Sequence, residues 1–285
     1  MTAIGSIIVA SIVLSAMMTV AWAVQIPTRQ SGWADCFWSF AIGIGGLIVT
    51  LFTDGPGPIE RRWLVAAMVG FWSMRLGFHI LARTATAERE DPRYAALRRE
   101  WGARFQGRLF LFLQIQALCG VGLVVTVYGA AHAPGPAFAV TDWIGLALLL
   151  VSVAGEGIAD AQLRRFAADE TNHGKVCDKG LWAWSRHPNY FFEWLGWLAY
   201  PVIALSPLAA SPFAGSTADA GAIIQLGGWW QGWLTLIGPL LMYWLLVHVS
   251  GIPPLEAHML ESRGDAFKAY MARTSAFFPR PPRQH

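Results

Sequence analysis

The sequence predicts an all-α integral membrane protein, a bundle of seven transmembrane helices with its N-terminus outside and its C-terminus in the cytoplasm. Three observations lead to this fold class. Of the 285 residues, 55% are hydrophobic and 14% are charged, with a mean hydropathy of +0.42, whereas soluble domains carry about 25% charged residues. The apolar residues form runs about as long as the 20 helical residues that cross a bilayer. Lysines and arginines gather in alternate connections between these runs.

Seven apolar runs define the predicted spans. They lie at about 3–24, 34–52, 63–82, 109–131, 142–161, 189–208 and 229–250. The first run ends in Ala21-Trp22-Ala23, which is similar to a signal-peptidase site, but it has no basic N-terminal region and is too long for a signal peptide. We therefore expect a retained helix. No internal repeat is evident, and residues 1–285 are expected to form a single membrane-embedded domain.

The basic residues determine the predicted orientation. Most of the lysines and arginines, 18 of 21, lie at 25–33, 83–108, 162–188 and in the tail after 250. The opposite connections hold only Arg61 and Arg62. Because positive residues are retained on the cytoplasmic side, the four basic stretches are expected there. They are spread over separate connections rather than gathered in one patch, so no nucleic-acid partner is expected.

The connection at 83–108 predicts an amphipathic helix lying on the cytoplasmic headgroups. Its apolar residues recur at spacings of three and four from Tyr94 to Phe105, with arginines between them. Two roles stay open for it, a solvated connector with a membrane-facing stripe and a segment that handles substrate. The connection at 209–228, rich in Ala, Gly, Ser and Pro, predicts a flexible linker.

Ionisable side chains inside the predicted spans point to a polar cavity. A charge in a span costs about 2.5 to 3.5 kcal/mol on insertion scales, so each one needs a partner or a purpose. The residues concerned are Asp35, Arg75, His79, Glu156, Asp160, Glu193 and His248. With the predicted orientation they all lie in the cytoplasmic half, which favours one cavity open to the cytoplasm. Structural roles stay open for some of them. Asp35 and Arg75 would suit an ion pair that only holds two helices together. His248 would suit a histidine that packs against its neighbours and binds no ligand. Arg164 would suit a counter-ion of Asp160.

The loop that ends at His187-Pro188 and the helix after it are expected to bind a ligand. The donors in this region are Arg164, Arg165, Arg186, His187, Asn189 and Tyr190, and the acceptors are Asp160 and Glu193. Arginines suit a phosphate group, and carboxylates suit ribose hydroxyls. We therefore expect a nucleotide cofactor from the cytoplasm and a lipid-like substrate from the bilayer. Glu256 and His258 follow a proline pair and would either close over the ligand or form a solvated face.

The motifs of other ligand classes are absent. The chain has no GxGxxG after a strand, no Walker loop, no GxSxG and no HExxH or comparable metal spacing. Its three cysteines, Cys36, Cys119 and Cys177, lack the spacing of a disulfide scaffold or a zinc site. No metal is therefore expected.

Three stretches resemble a known family. They are GEGIADAQLR at 155–164, GLWAWSRHPNYFFE at 180–193 and SGIPPLEAHML at 250–260. The chain is similar to the uncharacterised bacterial membrane branch, domain of unknown function 1295, of the steroid 5α-reductase superfamily, most strongly over 142–285. The resemblance implies a seven-helix enzyme of the bacterial inner membrane. Such an enzyme binds NADPH in its cytoplasmic half and reduces a carbon–carbon double bond conjugated to a ketone.

The resemblance also implies site residues. Cofactor-contacting positions of steroid reductases are matched by Asp160, Arg164, Asn189 and Glu193. The same stretches add further expected cofactor contacts at Glu156, Arg186, His187, Tyr190, Glu256 and His258.

The substrate-facing residues of steroid reductases are not matched. Those enzymes orient the ketone with a Gln-Glu pair on the second helix and a Tyr on the third. Here the pair is missing, and the nearest substitutes are Asp35, Arg75 and His79. We expect His79 or Arg75, with Tyr190 as a further candidate, to donate a hydrogen bond to the developing enolate oxygen.

Two other functions are alternatives. The RHPNY run at 186–190 is also similar to isoprenylcysteine and phospholipid methyltransferases, which bind S-adenosylmethionine and tend to carry a Glu-Glu pair where this chain has Glu256-Ala257. A membrane scaffold or transporter would also use buried charges, but here they stop at half depth. The substrate stays open among sterols, other isoprenoids and fatty-acyl enones. The choice between NADPH and NADH stays open, and so does the oligomeric state.

Overall fold

This computed structural model describes residues 1–209 and 230–282, whose regular secondary structure is helical with no strand. Six of their helical runs are long and apolar enough to cross a membrane. These runs are Ala3–Thr28, Trp33–Leu51, Ile59–Ala85, Pro92–Ala131, Val140–Ala168 and Gly232–Arg273. The prediction of a membrane protein is therefore confirmed. The predicted linker at 209–228 lies, after its first residue, outside the described residues.

The α-helices are numbered in chain order. They are α1 (Ala3–Thr28), α2 (Trp33–Leu51), α3 (Ile59–Ala85), α4 (Pro92–Trp101), α5 (Phe105–Ala131), α6 (Val140–Ala168), α7 (Pro188–Trp197), α8 (Ala199–Ala204), α9 (Ser206–Ala209), α10 (Ile237–Trp244) and α11 (Ile252–Arg273). Short 3₁₀ turns occupy Gly102–Arg104, Glu170–Asn172, Gly180–Ala183 and Trp230–Leu236. The first five predicted spans correspond to α1, α2, α3, α5 and α6.

The predicted sixth span, 189–208, differs in the structure. It is divided into the short helices α7, α8 and α9, with breaks at Leu198 and Leu205. Pro201 and Pro207 account for the breaks, because a proline lacks the N–H group and its ring crowds the carbonyl four residues earlier. These carbonyls belong to Trp197 and Ile203, which lie one and two residues before the breaks.

The predicted seventh span is helical but irregular. After α10 the chain forms one π-helical turn over Leu245–Val249, closed by a hydrogen bond of 2.8 Å from the Ser250 N–H to the Leu245 carbonyl. A π turn holds one more residue than an α turn and often lies at a functional site. It leads through Ser250 and Gly251 into α11.

The chain divides into two compact units. Unit 1 consists of Met1–Leu146 with Ala199–Leu241, and unit 2 of Ala147–Leu198 with Met242–His285. In unit 1, α1, α2, α3 and α5 pack side by side, and small residues allow their close approach. A Cβ atom on Gly43 would lie 2.1 Å from Ser73 Oγ, and one on Gly120 would lie 2.2 Å from Leu14 Cδ2. These glycines therefore keep the helix interfaces tight.

A buried ion pair closes one end of unit 1. Arg61 and Asp142 are both 0% exposed, and Arg61 Nε lies 2.8 Å from Asp142 Oδ1. The Arg61 guanidinium also donates to the carbonyls of Ala133, Pro134 and Pro136. A buried charge is tolerated when its hydrogen bonds are satisfied in this way. Arg61 therefore fixes the connection between α5 and α6.

Helix α4 forms part of the segment 83–108, for which the sequence predicts an amphipathic helix on the headgroups. Tyr94 is 3% exposed, and its hydroxyl donates to Asp35 Oδ1 at 3.1 Å. Arg93 Nη2 donates to Asp35 Oδ2 at 2.6 Å, and Phe105 is also buried. Two of the four stripe residues are thus buried within unit 1, and Leu97 and Trp101 are half-buried. The cation that Asp35 binds is Arg93, where the sequence had suggested Arg75.

Unit 2 contains most of α6, α7 and α11. The indole N–H of Trp182 donates to the Ala159 carbonyl at 2.9 Å, and the Tyr270 hydroxyl donates to the Trp182 carbonyl. These bonds connect α6 and α11 through the loop before α7. An aromatic cluster near the C-terminal tail includes Tyr243 and Phe277, whose ring centroids are 5.4 Å apart.

Candidate functional site

The centre of the candidate site is an ion pair between the loop before α7 and the first turns of α11. Arg186 Nε donates to Glu256 Oε1 at 2.7 Å, and Arg186 Nη2 donates to Glu256 Oε2 at 3.2 Å. This two-point geometry is the strongest arrangement for an arginine and a carboxylate. The remaining Nη1 donates to the Thr274 carbonyl at 2.6 Å. Arg186 thus holds three separate segments of unit 2 together.

His187 shares the same carboxylate. Its Nε2 lies 2.9 Å from Glu256 Oε1, and its backbone N–H donates to Ser185 Oγ at 3.1 Å. The residue is only 3% exposed. Burial lowers the pKa of His187, although the hydrogen bond with Glu256 acts to raise it. The ring is therefore neutral near pH 7, and its Nε2 carries the hydrogen that Glu256 accepts.

The other ring nitrogen of His187, Nδ1, takes no part in the hydrogen bonds described above. Its Nδ1 is buried and has no hydrogen-bond partner among the residues that the structure describes. The ring lies against the Tyr190 ring, with centroids 5.5 Å apart and planes only 12° from parallel. A buried acceptor without a partner costs free energy. An N–H or O–H group of a ligand or an ordered water would satisfy it.

The C-terminal tail covers the loop before α7. The Arg186 N–H donates to the Ser275 carbonyl at 2.8 Å, and the Arg280 N–H donates to the Trp184 carbonyl at 2.9 Å. Between them, Ser185 Oγ donates to the Phe277 carbonyl at 2.9 Å. Sequence reasoning missed this contact. The only signal for it was the apolar Phe277-Phe278 pair in an otherwise polar tail.

Asn189 and Asp160 bring the end of α6 to the start of α7. Asn189 Nδ2 donates to Asp160 Oδ1 at 3.3 Å, and Asn189 Oδ1 accepts from the Tyr190 N–H at 3.0 Å. Pro188 occupies the first turn of α7, where its missing N–H has no cost. Asp160 and Asn189 are half-buried. They are partly accessible and offer one charged acceptor and one amide to a ligand.

The remaining expected cofactor residues fall into two groups. Glu156 and Glu193 are buried, and Glu193 Oε1 accepts from the Trp197 indole at 3.1 Å. Arg164 and His258 are exposed. The structure therefore joins Asp160 with Asn189 and Arg186 with His187 and Glu256. Arg164 and His258 keep their side chains at the surface.

The expected catalytic residues are distributed over the two units. Asp35, Arg75 and His79 belong to unit 1, and Tyr190 belongs to unit 2. Both carboxylate oxygens of Asp35 accept hydrogen bonds, from Arg93 and Tyr94. Asp35 thus has a structural role in holding α4.

Comparison with known proteins gives a family but no activity. A family described as "Protein of unknown function (DUF1295)" matches residues 21–216 and 221–274. A curated relative, "Uncharacterized protein C594.04c" of Schizosaccharomyces pombe, is 23% identical over 288 aligned positions, which cover 92% of this chain and 76% of the relative. No solved structure matches the chain.

Proposed function

The chain belongs to the DUF1295 family of proteins of unknown function, and we propose that it is an NADPH-dependent membrane reductase. Its substrate would be a lipophilic enone, either steroid-like or isoprenoid-like, that enters from the bilayer. The proposal includes a bacterial inner membrane location and seven spans, with the N-terminus outside and the cofactor site on the cytoplasmic side. The superfamily resemblance and the basic connections support this placement.

The contact between Asn189 and Asp160 carries the proposal. These residues are 29 positions apart, and both were expected to bind the cofactor from the sequence resemblance. Their half-buried carboxylate and amide suit the hydroxyls of a ribose. Arg164 lies one helical turn after Asp160 on α6 and is exposed, which suits a phosphate group. These three residues fit the two kinds of polar group that NADPH presents.

The Arg186–Glu256 pair would position this set. It anchors the loop before α7 to α11, and the adjacent His187 precedes the proline that starts α7. Asn189 and Tyr190 come directly after that proline, so their place depends on this anchor. Residues whose side chains are fixed in this way bind a ligand with less loss of conformational entropy. Arg186 and Glu256 are therefore proposed as positioning residues.

NADPH, when bound, supplies a hydride. The enone would receive the hydride at its β-carbon and a proton from water or a protein donor at its α-carbon. Between these events negative charge develops on the ketone oxygen, which a fixed donor stabilises. Tyr190 is the candidate donor in unit 2, and Arg75 and His79 are the candidates in unit 1. No step is assigned to Asp35 because Arg93 and Tyr94 occupy its carboxylate.

Ligand-induced thermal stabilisation tests the proposal. A ligand that binds only the folded protein, and is present at a concentration of 100 times its Kd, adds about 2.7 kcal/mol to the free energy of unfolding. We expect NADPH to raise the Tm of the detergent-purified protein and Asn189→Ala to abolish this rise. The chain has one other asparagine, Asn172, which donates to the Phe166 carbonyl. Asn172→Ala is the matched control and should keep the full response.

Two results would contradict the reductase. A rise in Tm with S-adenosylmethionine and none with NADPH would favour methyl transfer, the alternative with the same RHPNY run. Loss of the NADPH response in both asparagine variants would show that Asn189 has no specific role. The rise in Tm with NADH, measured in parallel, shows which of the two dinucleotides the protein prefers.

A further inference from the structure

Unit 2 contains an apolar groove that the proposed reaction does not use. Its volume is about 470 Å³. The large side chains that line it are Ile158, Leu181, Trp184, Pro188, Phe192 and Pro279. It thus lies between α6, the loop before α7 and the C-terminal tail. Apolar walls of this extent favour hydrocarbon over water.

Two glycines shape the groove. A Cβ atom on Gly155 would lie 2.4 Å from the Phe192 ring, so the glycine lets this ring pack directly on α6. Gly180 has a φ of +61°, and a Cβ atom there would lie 2.6 Å from Gln162 Oε1. Gln162 instead accepts a hydrogen bond from the Leu181 N–H at 2.9 Å. The positions of Phe192 and Leu181, which line the groove, therefore depend on these two glycines.

The groove lies on a membrane-spanning helix. Gly155, Ile158 and Gln162 are on one face of α6, in the last turns of a candidate span. Ile158 is 53% exposed and Trp184 is 48% exposed. Asp160 is about 200° around the helix from Ile158, at roughly 100° per residue. The groove and the proposed cofactor residues thus occupy different faces of α6.

Three basic residues lie close in the chain to residues that line this groove. Arg165 comes three residues after Gln162, which places it on the groove face of α6 one turn beyond the apolar part. Lys179 directly precedes Gly180, and Arg280 directly follows Pro279. All three are exposed. Two acids lie near these cations: Asp178 is paired with Arg273, and Asp169 interacts with Lys175 and Lys179.

We propose that this groove binds a membrane phospholipid with an anionic head group. An acyl chain lies along Ile158, Trp184 and Phe192, and the phosphate lies among Arg165, Lys179 and Arg280. Cations at the end of a span bind anionic lipids in this way, because the apolar surface and the charge act together. The inference goes beyond the proposed reaction and does not depend on it.

Native mass spectrometry of the detergent-purified protein tests the site. The probes are dioleoyl phosphatidylglycerol and dioleoyl phosphatidylcholine, which share their acyl chains and differ in net charge. We expect the protein to retain one phosphatidylglycerol at least fivefold more than phosphatidylcholine. Arg165→Gln should remove most of this preference, whereas Arg99→Gln, on an exposed residue of α4, should keep it.

A second variant tests the apolar part of the groove. Ile158→Trp fills the groove from its exposed side, so it should reduce retention of both lipids without preventing folding. Equal retention of the two lipids by the unchanged protein would overturn the proposal. So would an unchanged preference in Arg165→Gln, or equal loss in Arg165→Gln and Arg99→Gln. The NADPH response of Ile158→Trp, whose residue belongs to no expected cofactor contact, should be unaffected, which separates this groove from the cofactor site.

Discussion

His187 Nε2 and Glu256 Oε1 are 2.9 Å apart although 69 positions separate the two residues in the chain. The same oxygen accepts from Arg186 Nε at 2.7 Å. One carboxylate of α11 therefore fixes two consecutive residues of the loop before α7. This arrangement makes the loop, the tail and α11 depend on each other.

The first prediction concerns the loss of this carboxylate. Glu256→Gln removes the charge opposite Arg186 and leaves a largely buried guanidinium without its counter-ion. Breaking such a pair by removing one partner costs about 3 to 5 kcal/mol. We expect a Tm lower by several degrees in detergent. Glu261→Gln, on an exposed residue of the same helix, is the control, and equal Tm values for both variants would show that the pair does not stabilise unit 2.

The second prediction concerns pH. Burial lowers the pKa of His187 in the folded protein, whereas an unfolded histidine titrates near 6.5. Between these two values the unfolded chain binds more protons, so stability is complete above about pH 6.5 and falls as the pH decreases below it. The charged groups that face the ring are Glu256 and Arg186.

Measurement of Tm between pH 7.5 and pH 5.5 checks this direction. His187→Gln has no titrating ring, so its Tm should decrease less steeply over this range than that of the unchanged protein. The exposed residue His258 supplies the control His258→Gln, whose slope should match the unchanged protein. A steeper slope in His187→Gln would mean that the folded ring is protonated.

A third prediction concerns the ion pair in unit 1. Asp142→Ala leaves Arg61, which is 0% exposed, without its carboxylate, and the cost should again be about 3 to 5 kcal/mol. Poor yield or a strongly reduced Tm is the expected result. Asp54→Ala removes an acid whose side chain is 94% exposed and should leave Tm within about one degree, because surface ion pairs contribute about 0 to 1 kcal/mol. Similar behaviour of the two variants would contradict the structural role of Asp142.

A fourth prediction compares two glycines of unit 2. Gly180→Ala forces an L residue into the left-handed region, which costs about 1 to 2 kcal/mol, and adds a clash with Gln162. Gly157, inside α6, has nothing within 4 Å of its would-be Cβ atom, and alanine is a better helix former than glycine. Gly180→Ala should therefore lower Tm and Gly157→Ala should keep or raise it. The opposite order would exclude the backbone conformation described at Gly180.

The sequence was informative where structure is local. Apolar runs predicted α1, α2, α3, α5 and α6, because crossing a bilayer needs only length and composition. The same criterion did not predict the helix breaks within 189–208, since mean hydropathy does not register Pro201 and Pro207. For α4, the periodic stripe predicted a helix correctly but not what covers it, because the partner of Arg93 and Tyr94 is Asp35, nearly 60 positions earlier.

The candidate site shows the same limit. The motifs identified Asp160 and Asn189, which the structure brings into contact. They did not show that Arg186 and His187 both bind Glu256. The spacing of residues within one segment does not identify a side-chain partner on a distant segment. The groove was missed for the same reason, since its walls come from three segments that are each ordinary in sequence.

The π turn at Leu245–Val249 has a consequence for the length of the chain. It lies between Tyr243, which belongs to the aromatic cluster of the tail, and Glu256, which binds Arg186 and His187. Each residue added to or removed from a helix rotates all later residues of that helix by about 100°. A homologue lacking one residue in this turn would change the direction in which the chain enters Ser250 and Gly251, and with it the position of Glu256 relative to Arg186 and His187. Insertions and deletions here should therefore be selected against as strongly as replacement of the glutamate itself.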